Sequence, residues 1–84
     1  MKRREKEEEE IIKWLNHLEE KKVKIQGVLV ELRRILFFEN LSKDRVKEKL
    51  LKRIEICKKT LDSIEKEINY LLKNLQYLRI SKLF

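Results

Sequence analysis

From Leu50 to Leu78 the apolar residues recur in alternating steps of four and three: Leu50, Ile54, Cys57, Leu61, Ile64, Ile68, Leu71, Leu75 and Leu78. An α-helix turns once in 3.6 residues, so this spacing gathers them on one stripe. The mean step of 3.5 is that of a coiled-coil seam. Ile54, Leu61, Ile68 and Leu75 take the a positions of the heptad, and Leu50, Cys57, Ile64, Leu71 and Leu78 the d positions. Nothing in this stretch breaks a helix, and the pattern predicts one over about 43–82.

The first half repeats the pattern less cleanly. Ile11, Trp14, Leu15, Leu18, Ile25, Val28, Leu29, Leu32, Ile35 and Leu36 form one stripe, which Lys21 and Lys22 interrupt. It predicts a helix over about 5–38. Gly27 falls off the stripe and costs such a helix about 1 kcal/mol relative to Ala. A helix end at Gly27, giving three helices, is the alternative. Between the halves, FFENLSKDR offers Asn40 and Ser42 as N-caps and Asp44 for the first turn of the second helix. A turn at 39–43 is short, so the helices should fold back antiparallel. The predicted fold is all-α: one domain over 1–84, built as a long antiparallel helical hairpin.

Folding the chain about residue 41 sets Leu32 opposite Leu50, Ile25 opposite Cys57, Leu18 opposite Ile64, Trp14 opposite Ile68 and Ile11 opposite Leu71. Beyond Ile11 the first arm offers only Arg4, Glu5, Lys6, Glu7 and Glu8. Leu75, Tyr77, Leu78, Ile80, Leu83 and Phe84 are therefore expected to lack an apolar partner within the chain. Val23, Val30 and Phe37 recur every seven residues on the side away from the seam, and Gly27 near that line would let another helix approach closely. These nine apolar residues are the candidate partner-binding set. Two helices enclose little interior. The hairpin is thus expected to complete a four-helix bundle, either by dimerising or by docking on a larger partner. The alternative is a tail that folds back loosely onto the first arm.

Composition supports association. The chain has 84 residues, one Gly, no Pro, no Ala and 44% charged residues, the usage of long helices and coiled coils. A domain this small rarely stabilises itself strongly without a metal, a disulfide or a partner. A single Cys allows no internal disulfide, and a single His allows no His/Cys metal cluster. No metal, cofactor or small-molecule ligand is expected. Lys and Glu abundance hints at a protein from a hot environment. No apolar run reaches the roughly 18 residues of a membrane span. The start, MKRREKEEEE, has no signal-peptide core, and the thiol is free, so a cytoplasmic setting is expected. The carboxylates lie on solvated faces among lysines, which points away from an enzyme.

Net charge changes the picture in one place. Residues 1–42 carry ten Lys/Arg against nine Asp/Glu, whereas residues 43–84 carry twelve against six. Arg45, Lys52, Lys59, Lys66 and Lys73 repeat every seven residues on the outermost line of the second helix, with Lys49 and Arg53 close by. Arg45, Lys49, Lys52, Arg53, Lys59 and Lys66 are the candidate nucleic-acid contacts, and any such binding would be non-specific and directed at phosphates. The competing reading is a solvated face. Glu48, Glu55 and Asp62 stand four residues before Lys52, Lys59 and Lys66, the favourable order for pairing along a helix.

The tail YLRISKLF resembles the short peptides with which replication and repair proteins dock on the sliding clamp. Tyr77 stands in the usual Gln position, Ile80 matches the aliphatic plug, and Leu83 and Phe84 take the aromatic pair. The resemblance covers eight residues and departs from the pattern at Tyr77 and Leu83. It implies an accessory protein of DNA replication or repair, and the extreme C-terminal location is common for such peptides in archaea.

Overall fold

The computed structural model describes residues 2–38 and 44–81, with side chains from Glu5 to Phe38 and from Arg45 to Ser81. Two helices fill them: α1, Lys2–Phe38, and α2, Asp44–Ser81. They pack along their length as an antiparallel hairpin measuring 64 × 15 × 14 Å. The predicted turn at 39–43, with Asn40 and Ser42, lies outside the described residues.

The seam of α2 falls on the predicted positions. Leu50, Ile54, Ile64, Ile68 and Leu75 are buried, and Cys57, Leu61, Leu71 and Leu78 are half-buried. Two clusters form the core. Leu29 and Leu32 meet Leu50 and Ile54, with Ile35, Leu36, Cys57 and Leu61 packed around them. Leu18 meets Ile64 and Ile68, with Leu15, Ile25 and Leu71 around them. Among the described residues no buried side chain is polar, and none is shielded completely. This is what two helices alone can achieve: each seam residue is covered on one side and grazed by water on the other.

Three expectations change. α1 runs unbroken through Gly27, whose backbone is ordinary right-handed helix, so the three-helix alternative is excluded. The seam of α1 is also more regular than its apolar residues suggest. Its shielded positions include Glu8, Ile11, Leu15, Leu18, Lys22, Ile25, Leu29, Leu32 and Leu36, in steps of three and four throughout. Lys22 does not interrupt this seam but occupies it. Its methylene stem lies in the groove, while its ammonium reaches sideways to 3.5 Å from a Glu65 carboxylate oxygen. Trp14 and Val28, by contrast, leave the seam; Trp14 is 47% exposed and its indole N–H donates to Glu67 Oε1 at 3.0 Å.

The third change concerns the overhang. The arms are nearly equal, 37 and 38 residues, so α1 runs beside the last turns of α2. Leu75 was expected to lack cover within the chain, yet it is 6% exposed. On α1 the seam position at this level is Glu8, which is half-buried, and a long charged side chain can shield apolar surface with its stem while keeping its charge in water. Leu75 is part of the hairpin's own core and presents no free surface.

Candidate interaction surfaces

The seven-residue register divides the exposed apolar side chains between two flanks of the hairpin. One flank carries Trp14, Val28 and Phe38 of α1 beside Val46, Ile56, Tyr70 and Tyr77 of α2, all exposed. The hydrogen bond from Trp14 to Glu67 crosses between the helices on this side. Trp14 also lies against His17, ring centroids 5.5 Å apart. Near the free end of the hairpin, Ile11, Trp14, Leu71, Tyr77 and Leu78 line a shallow groove, with Glu7 and Glu10 on its rim.

The other flank carries Ile12, Val23, Val30 and Phe37 of α1 beside Leu51 and Leu72 of α2. Val23 and Val30 are each 63% exposed and Phe37 is 84% exposed, its ring edge-on to Phe38 at 5.3 Å. The predicted second patch is therefore on the surface as a line along α1. A Cβ added at Gly27, beside that line, would meet nothing within 4 Å.

The rest of the predicted partner-binding set is divided. Tyr77 is exposed at 72%, Ile80 is exposed at the last turn of α2, and Leu78 is half-buried in the groove beside Ile11. Leu83 and Phe84 lie outside the described residues, so the register of the clamp-like peptide is visible only at Tyr77 and Ile80. Sequence reasoning missed Ile56, Tyr70, Leu51 and Leu72. They fall off the heptad seam of α2 and were absorbed into its polar background, although Tyr70 and Tyr77 are themselves seven residues apart.

Arg45, Lys49, Lys52, Arg53, Lys59 and Lys66 are all exposed. Of the three anticipated pairs along α2, Asp62–Lys66 closes at 3.1 Å. Among the described residues, Glu48–Lys52 and Glu55–Lys59 make no ion pair. The ridge thus keeps unpaired cations at Lys52 and Lys59. Thr60, beside the seam, returns its hydroxyl to the Ile56 carbonyl at 2.8 Å. Cys57 is a half-buried free thiol in the seam, packed as a small apolar group.

Among the described residues no group of His, Cys, Asp or Glu is placed to hold a metal ion. No helix there is long and apolar enough to cross a membrane. Comparison of the chain with protein-family models, curated proteins and solved structures returned no match.

Proposed function

We propose that this protein is a non-catalytic interaction module, a small helical adaptor or accessory subunit that assembles through apolar side chains on the flanks of its hairpin. The supporting observation is the amount of surface left uncovered. A compact monomer of this mass exposes about 5,400 Å², whereas this hairpin exposes 7495 Å², with Val23, Val30, Phe37, Ile56, Tyr70 and Tyr77 prominent on it. The excess is larger than the roughly 800 Å² that each partner of a standard specific interface removes from water. Partners of this module are a second copy or a larger complex. A cytoplasmic setting goes with the proposal.

The test is the molar mass of the full chain by light scattering at micromolar concentration, with binding of an apolar dye as the second readout. A mass above the 10.4 kDa of one chain supports assembly. So does a monomer that binds the dye strongly and loses that binding when Val23, Val30, Phe37 and Tyr77 become Ser. A monomer that ignores the dye overturns the reading.

A second reading rests on the basic row of α2, in which Lys52 and Lys59 make no ion pair among the described residues. A row of Arg45, Lys52, Lys59 and Lys66 along one exposed line suits the phosphates of a nucleic acid. The tail, whose residues 77–84 resemble a clamp-binding peptide, would bring this row to DNA by docking on a sliding clamp. Duplex DNA should then bind with an affinity that falls steeply with salt, and Lys52→Glu with Lys59→Glu should remove the binding without changing the mass of the assembly. DNA affinity and salt slope that ignore both substitutions would sink this reading.

A further inference from the structure

We infer that the second flank of α1 is a self-complementary surface that receives α1 of a second copy of this chain, antiparallel, with its two-fold axis at Gln26 and Gly27. This inference rests on the interaction reading above and names its partner. The argument is the order of residues along the exposed line. Glu19 and Glu20 come first, then Val23, Gly27 and Val30, then Arg33 and Arg34, every one of them exposed. Measured from the midpoint between Gln26 and Gly27, Val23 and Val30 are equidistant, Glu20 and Arg33 are equidistant, and so are Glu19 and Arg34.

A two-fold interface requires this property. Whatever residue i touches on the second copy, that residue's counterpart must touch i in return. With the two helices antiparallel about Gly27, Val23 faces Val30 of the second copy. Glu19 and Glu20 face Arg34 and Arg33 of the second copy, and the same contacts recur on the other side of the axis. The acidic and basic pairs stand about 20 Å apart along the helix, so each end of the contact brings opposite charges together. The parallel arrangement would set glutamates on glutamates and arginines on arginines, and repulsion of that kind excludes wrong pairings.

The remaining features agree with this axis. Gly27 stands beside it, where the absence of a side chain permits the closest approach of two helices, and the space its Cβ would take is open. The four charged residues are available. Among the described residues Glu19, Glu20 and Arg33 form no ion pair, and Arg34 makes only a loose 3.7 Å contact to Glu31 on the same exposed surface. The line continues to Phe37, which falls opposite Asn16 of the second copy.

Charge reversal tests this directly. In the full chain, Glu19→Arg with Glu20→Arg should leave the helicity of the hairpin unchanged and weaken self-association at least roughly tenfold. Arg33→Glu with Arg34→Glu should do the same. An equimolar mixture of the two variants should recover a dimer mass by light scattering, because every contact across the axis is then opposite in sign. Recovery in the mixture, with neither variant dimeric alone, is the expected result. Three results would overturn the inference: a wild-type chain that stays monomeric at high micromolar concentration, variants that dimerise like wild type, or a mixture that stays monomeric. The second of these leaves the interaction reading standing with a different face. The first leaves it to the apolar dye.

Discussion

The two helices are nearly equal in length and share one seam, yet their outer lines differ. The line of α2 opposite the seam is a ladder of Arg45, Lys52, Lys59, Lys66 and Lys73, all in water. Beside the corresponding line of α1, on which Gly27 stands, run Val23, Val30 and Phe37. A charged outer line keeps a helix soluble and repels close packing. An apolar outer line with a glycine in it invites packing. On the proposed reading the helices have distinct tasks: α2 closes the hairpin, and α1 also offers a second face.

The largest effect should come from breaking the seam where α2 contributes most. Ile64 is buried against Leu18 and Ile68. Ile64→Ala should cost about 2–3 kcal/mol, the lower part of the range for such truncations, because the site is not fully enclosed. Urea melts followed by circular dichroism would read it. Val30→Ala on the outer line of α1 removes apolar volume from an exposed site. It should change the stability of a dilute sample by less than about 0.5 kcal/mol. It should, however, weaken the dependence of the melting temperature on protein concentration, which reports association. Equal effects of the two substitutions in dilute samples would mean that the outer line of α1 is not a separate face.

Lys22 sharpens the comparison from inside the seam. Among the described residues it is the one cation at a seam position of α1, with its side chain 25% exposed and its ammonium 3.5 Å from Glu65. A surface pair of this kind contributes little, whereas an apolar side chain there would join the two core clusters. Lys22→Leu should stabilise the hairpin by about 1 kcal/mol in thermal melts. A polar residue at such a position also fixes register and partner choice in coiled coils. The same variant should therefore form higher oligomers more readily. A less stable Lys22→Leu hairpin would show that the Glu65 contact outweighs burial.

How legible these features were depended on how each residue mixes apolar and polar character. The seam of α2 could be read directly, because nine positions repeat without a break and none of them is charged. Leu32 against Leu50 and Leu18 against Ile64 followed from folding the chain about its middle, and both pairs lie within the observed clusters. Lys22 was misread because a pattern of apolar and polar letters counts a lysine as polar, although four of its side-chain carbons can line a groove. Leu75 was misread for the same reason in reverse: it is buried although the letters of α1 before Ile11 are all charged. Trp14 was placed in the seam because a wide ring beside the stripe resembles a member of it, but its N–H finds Glu67 outside. The exposed Ile56 and Tyr70 were overlooked because Ser63 interrupts the heptad line they share with Tyr77. On the outer line of α1 the sequence did show the seven-residue recurrence, since three apolar residues at one heptad position stand out against charge.

Gly27 gives the smallest effect and the sharpest contrast, because two measurements on one variant should move in opposite directions. In the isolated hairpin it is a glycine in mid-helix with open space around it, so Gly27→Ala should stabilise α1 by about 0.5–1 kcal/mol. Leu has nearly the same helix propensity as Ala, so Gly27→Leu should give a similar gain in dilute samples, seen as a rise of a few degrees in melting temperature. At a close crossing of two copies the added atoms stand between the helices. Association should then weaken from Gly to Ala and further from Ala to Leu, in the order of side-chain volume. Sedimentation at several concentrations separates this from the melt. If Leu strengthened association instead, Gly27 would lie beside an apolar contact that welcomes more surface, and the closest approach of α1 to its partner would be elsewhere on the helix.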